Sequence, residues 1–214
     1  MNNRRKVADV LFKPDSKLMR FAEWTTKLIH VQIIWILFSL MGLFFLGIFP
    51  ATFTMFGVIR KWIMKQDDFP VFKTFWRTYK DMFLKSNLLG YGMLLLGSSI
   101  YYYIDMFSSM SVVLFIVSMM FGLVFLMTAL FIIPVYVHFD IPLPEVIRHA
   151  SIIAVSHPLH ILLMVLSLVG FWFFSTLLPA ALPFIGFSLI CYLLMLIAYS
   201  AFISIEKKVV NQKL

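Results

Sequence analysis

The chain of 214 residues is 62% hydrophobic and only 13% charged, with a mean hydropathy of +0.94. A soluble domain carries charge on about a quarter of its residues, so a water-soluble enzyme is excluded. Apolar runs that are continuous rather than alternating exclude a membrane barrel. The net charge of +8 reads as loops facing anionic lipid, and no nucleic-acid partner is expected.

The single cysteine, Cys191, lies inside an apolar run and rules out an intrachain disulfide. Residues 1–27 form a basic N-terminal segment with no short apolar region before a cleavage site, so no signal peptide is expected. Asp15 or Ser16 after Pro14 is placed to cap a helix. The stripe Leu18, Phe21, Ala22 and Thr25 reads as an interfacial helix leading into a first span.

From Leu28 to Trp62 no charge appears before Arg60. One span would be too long, so Gly47 and Pro50 are expected to break the stretch, with Pro50 as first residue of the second helix. The first span is placed at about 28–46 and the second at about 50–64. From Pro70 to Lys85, Phe72, Phe75, Trp76, Tyr79 and Phe83 recur at helical spacing, and Lys73, Arg77 and Lys80 share a second face. This predicts an amphipathic helix with an aromatic and a basic side. Either it docks a partner or it lies in the headgroup layer, and the plainer reading is the headgroup layer.

A third span follows at about Leu88–Ile104, and a fourth from about Met110 to Pro134. The polar interval 135–158 contains an expected helix opened by Pro142 and Pro144, with Val146, Ile147, Ala150 and Ile153 as its apolar stripe. A fifth span, Leu159–Leu178, a tight turn at 179–182, and a sixth span, about 183–205, complete the bundle before a tail at 206–214. The expected fold is an all-α polytopic bundle of about six spans, or five plus a re-entrant or interfacial helix. It forms a single integral membrane domain over 1–214, with the helical bundle at 28–205, cytoplasmic amphipathic helices and a cytoplasmic tail at 206–214.

Charge orients this arrangement. With the N-terminus inside, all 18 lysines and arginines fall on cytoplasmic segments and the outer turns carry none. A single crossing over 28–62 would break that pattern.

Candidate chemistry is sparse. His138, His149, His157 and His160 fall with Asp140 near one interval, but no HExxH or paired-cysteine spacing accompanies them, so no metal or other cofactor is expected. No serine–base pair, aspartate pair or zinc motif points to intramembrane proteolysis. No Asp, Glu, Lys or Arg lies in mid-span, which argues against an ion-driven pump. Tyr101, Tyr102 and Tyr103 read as an interfacial aromatic belt.

Pro14-Asp15-Ser16, Phe21, the turn from Gly47 to Thr52, Arg60-Lys61-Trp62, Phe75-Trp76 and Tyr79-Lys80 resemble the YesL family of bacterial membrane proteins, whose function is unknown. The resemblance covers most of the chain and supplies no catalytic residues. It implies a Firmicute-type plasma membrane and a genomic neighbourhood with carbohydrate ABC importers, while the charge distribution places the N- and C-termini in the cytoplasm. Within that frame the interval from Pro142 to Pro158 is similar to the loop by which ABC permeases grip their ATPase. It has an acid, Glu145, then an apolar helix, a proline and a span, but lacks the usual glycine and paired alanines. The expected function is a non-enzymatic accessory or regulatory partner of such an importer, contacting its permease or ATPase subunits as well as lipid. The alternative is a solute-conducting transporter in its own right. Lys73, Arg77, Lys80, Glu145 and Arg148 are the residues expected to meet a partner or lipid.

Overall fold

No glycine or proline interrupts the chain from Lys17 to Met41, and in the computed structural model these residues form one helix, α1. The structure describes residues 17–139 and 141–211. The expected cap at Asp15 or Ser16, the segment 1–16 and Asp140 lie outside the described residues. The stretch around Leu18 and Phe21 is not a separate interfacial helix. It is the first two turns of α1.

The chain then turns over 42–47. Leu43 and Phe44 take φ values of 55° and 61°, left-handed conformations that cost about 1–3 kcal/mol each. Close approach explains the two glycines of this turn. A Cβ on Gly42 would run into the Gly47 backbone and the Tyr79 hydroxyl, and one on Gly47 into the carbonyl oxygens of Ser39 and Phe38.

Helix α2 covers Ile48–Ile63. Pro50 therefore sits third in the helix rather than first, still within the turn whose N–H groups have no helical acceptor. Its missing N–H leaves the Leu46 carbonyl without the i+4 donor it would otherwise have. Asn87 supplies one instead, its Nδ2 donating to the Leu46 oxygen at 3.0 Å. Tyr91 donates to the Phe45 carbonyl at 2.7 Å, and Tyr79 to that of Phe38 at 3.2 Å.

All three donors belong to α3, Val71–Ser108, a single helix of 38 residues. The expected amphipathic helix and third span are thus continuous. Ser86 and Asn87, where a break was expected, donate back to the Met82 and Phe83 carbonyls and stay within the helix. The α1–α2 tip meets α3 near its middle, where a Cβ on Gly90 would strike the Phe49 ring. Beyond Tyr91, α3 runs on for roughly 26 Å.

Helix α4, Val112–Phe139, returns antiparallel to that upper half, with Gly97 against Phe125 and Gly122 against Ile104. It does not end at Pro134. The proline is buried inside the helix, where Phe131, Ile132, Val135 and Tyr136 pack into the core. That packing outweighs one lost hydrogen bond. Helix α5, Leu143–Ser156, buries Val146, Ala150 and Ile153 of its expected stripe and leaves Ile147 half-exposed. Helix α6 is Pro158–Leu177. A 3₁₀ turn, Pro179–Ala181, and a π turn, Leu182–Gly186, lead into α7, Phe187–Asn211.

Helix α7 runs antiparallel to α1, with Trp24 against Tyr192 and Trp35 against Phe187. Gln32, buried in α1, accepts the Ser188 N–H at 2.8 Å and so caps the start of α7.

Among the described residues, four helical stretches are long and apolar enough to cross a membrane: Leu18–Met41, Val112–Phe139, Pro158–Leu177 and Pro179–Lys207. Of the six expected crossings, α2 falls short, since its 16 residues span about 24 Å against a hydrocarbon core of about 30 Å. Upper α3 is long enough but is diluted by Gly90, Gly92, Gly97, Ser98, Ser99 and three tyrosines. Leucines, valines and phenylalanines cover the outside of α4 and α6, a surface that fits lipid rather than water.

Two measurements check this packing. Phe75 is fully buried against Phe38, whereas Phe72 is 57% exposed. Phe75→Ala should cost about 3–5 kcal/mol in detergent unfolding, and Phe72→Ala clearly less. Equal costs would refute the packing of α3 on α1. Asn87→Leu should destabilise by about 1–3 kcal/mol by orphaning the Leu46 carbonyl. Pro50→Ala restores a backbone N–H there, so a double-mutant cycle should show the second change relieving part of the first. Strict additivity would mean that Asn87 does not stand in for the proline.

Candidate functional site

The start of α1 and the ends of α2, α4 and α7 converge at one end of the bundle, which holds most of its charge. Lys27 is paired with Asp67 at 2.6 Å and lies over the rings of Trp24 and Trp62. Arg60, in the last turn of α2, opposes the negative end of that helix. Its Nε donates to His138 Nδ1 at 3.0 Å. That bond assigns the His138 proton to Nε2, which faces Glu206 Oε1 at 3.7 Å. The His138 side chain is only 8% exposed, Glu206 63%. Arg60, His138 and Glu206 thus tie α2, α4 and α7 together at their charged ends.

This grouping was not legible in the sequence, where 78 residues separate Arg60 from His138. His138 belongs to the last turn of α4, not to a loop. The other candidate histidines lie elsewhere: His157 and His160 meet edge to face at the α5–α6 junction, and His149 is exposed on α5.

The five expected contact residues fall on two surfaces. Lys73, Arg77 and Lys80 are exposed on lower α3. Arg77 lies 3.9 Å from Asp81, and the Lys80 ammonium sits 4.1 Å from the Trp76 ring centre. The opposite face holds Phe75 and Tyr79 against α1, so this helix packs into the bundle. Glu145 and Arg148 are exposed on α5. Among the described residues no hydrogen bond or ion pair joins the two groups.

A groove of about 970 Å³ opens between upper α3, α4 and α5. Leu89, Leu96, Phe121, Phe125, Ile132 and Ile147 contribute to its walls. Its serine and threonine hydroxyls are spent locally: Ser118, Thr128 and Ser151 each donate to a carbonyl of their own helix at 2.8 Å, and Tyr103 stands at the far end. The groove offers dispersion contacts and almost no free polar partner, so it suits a hydrocarbon chain rather than a sugar.

The bond between Arg60 and His138 is testable by a cycle of Arg60→Gln and His138→Leu. A part-buried hydrogen bond from a charged donor should show a coupling of about 1.5–3 kcal/mol in detergent unfolding. Glu206→Gln should change stability by less than about 1 kcal/mol because the carboxylate is exposed. No coupling in the cycle would remove the contact.

The family profile described as "Protein of unknown function, DUF624" matches residues 28–105, which comprise the apolar part of α1, the hairpin turn, α2 and nearly all of α3. Three Bacillus subtilis (strain 168) proteins are similar over most of their length. "Uncharacterized protein YteU" is 35% identical over 194 residues, 89% of this chain and 87% of the relative. "Uncharacterized protein YesL" is 33% identical over 199 residues, 92% and 94% of the two chains. "Uncharacterized protein YesV" is 31% identical over 184 residues, 84% and 88%. No solved structure matches. The profile falls on the α1–α2–α3 unit and the relatives match nearly end to end, so the chain belongs to the DUF624 family, with YesL, YteU and YesV.

Proposed function

We propose that this is a non-enzymatic integral protein of a bacterial plasma membrane that docks on a carbohydrate ABC importer and assists or regulates it. The observation that carries the reading is α5. It follows the charged end of α4, buries one face on that helix, and leaves Ile152 and Val155 exposed beside Glu145 and Arg148. A short amphipathic helix with an unpartnered apolar edge and a charged rim has the chemistry of a helix that seats in a partner's groove. The sugar importer comes from the family resemblance and from the order of acid, apolar helix, proline and apolar helix across 142–158.

In this reading the charged end is cytoplasmic, both termini included, because it gathers Lys27, Arg60 and Lys61. The α1–α2 hairpin returns to the end it left, as the Lys27–Asp67 pair requires. Its tip reaches only the middle of α3, which favours a re-entrant α1–α2 hairpin beside four crossings, upper α3, α4, α6 and α7. The solute-conducting alternative has less to support it, since the large groove presents apolar walls.

Three experiments test these claims. Purified from native membranes in mild detergent, the protein should bring down importer subunits, and the pair Ile152→Asp and Val155→Asp should abolish that recovery while the purified variant keeps its helix content. Recovery of no importer subunit from a wild-type strain expressing them would overturn the docking role, and sugar flux through the protein alone in liposomes would replace it with conduction. Lys73→Gln, Arg77→Gln and Lys80→Gln together should leave folded yield unchanged, because solvated charges contribute little to the fold. Unchanged importer recovery by this triple variant would exclude the basic face of α3 from docking. Single cysteines at Asp67, Ser109 and Ala181 in a Cys191→Ser background report topology. An impermeant thiol reagent should label positions 109 and 181 from outside intact cells, and labelling of 67 would refute the orientation.

A further inference from the structure

The groove between α3, α4 and α5 is built differently at its two ends. Along α3 it follows Leu88, Gly92, Leu96, Ile100, Tyr103 and Phe107, a distance of about 28 Å. One turn before Leu88, on the same stripe, stands Lys85. It is exposed and has no hydrogen bond or ion pair among the described residues. On α5, Arg148 stands one turn from each of two groove residues, Pro144 and Ser151, and it too is exposed and unpaired. Glu145 lies outside the groove stripe of α5 by the helical period. Asp81, two turns before Leu88, faces Arg77. The far end of the groove, by Tyr103 and Phe107, has Asp105 in the same helix and no cation nearby.

An apolar channel of hydrocarbon length flanked by two free cations, one on α3 and one on α5, matches one membrane component. We propose that the groove holds an acyl chain of an anionic phospholipid, with the lipid phosphate between Lys85 and Arg148. Basic mouths between membrane helices select anionic headgroups by charge, and the apolar walls hold the chain by contact area. The charge pattern favours this occupant over a second copy of the chain, for which the mouth offers no acidic partner to meet. Gly92 gives the groove part of its width, since a Cβ built there meets nothing within 4 Å. A side chain at that position therefore starts in open space and extends into the groove.

Native mass spectrometry in mild detergent, with phosphatidylglycerol or phosphatidylcholine added in equal amounts, reads the site directly. The wild-type protein should retain one phosphatidylglycerol in preference to phosphatidylcholine. Lys85→Gln and Arg148→Gln should each lower that preference by about fivefold, while the lipid still binds through its chain. Gly92→Phe should lose the retained lipid of both kinds and keep its melting temperature in detergent. Retention unchanged in Gly92→Phe would overturn the proposal, as would equal retention of the two lipids by the wild type. A lipid-free wild type that runs as a dimer dissociated by Gly92→Phe would also overturn it, and would assign the groove to contact between copies.

Discussion

Three donors on α3 hold a strained turn in place. Tyr79, Asn87 and Tyr91 donate to the carbonyls of Phe38, Leu46 and Phe45. Away from water an unpaired carbonyl costs several kcal/mol, so a turn between two apolar helices needs donors from a neighbour. That neighbour must be a long helix passing the tip at close range. Gly90 lets α3 lie against Phe49, and Gly42 and Gly47 let the turn close. The left-handed Leu43 and Phe44 persist because these bonds and contacts over-determine the turn. The family profile covers this same unit of two short-spaced helices and the helix that serves them.

The opposite end of the bundle solves a different problem. There the helices stop, and their last carbonyls and nearby charges need partners. Arg60 faces the end of α2 and bonds His138 of α4, which in turn faces Glu206 of α7. Each link joins helices distant in sequence, so the network fixes which helix ends lie together. Gln32 makes a comparable link in the interior, where it caps α7. Most serine and threonine side chains among the described residues bond back to carbonyls of their own helix, as Ser99, Thr128 and Ser167 do.

Between these two ends lie the surfaces left for function. Helix α5 serves both surfaces: Ile147 and Ser151 line the groove, while Ile152 and Val155 are exposed outside its lining. A lipid in the groove and a partner on α5 would therefore touch adjoining faces of one short helix, with Arg148 between them.

Composition and hydropathic period alone established a helical membrane chain, its long apolar helices and the break near Gly47. Those properties follow from local residue content, because a span is written in its own apolar run. The YesL resemblance was likewise legible in short strings of residues. Helix boundaries set by packing were not. Pro134 suggested an end, yet core contacts carry α4 to Phe139, and Ser86 and Asn87 suggested a break that their own back-bonding removes. The groove, the three donors at the turn and the Arg60–His138 bond were invisible in the sequence. They depend on which helices lie side by side, and only the tertiary structure decides that.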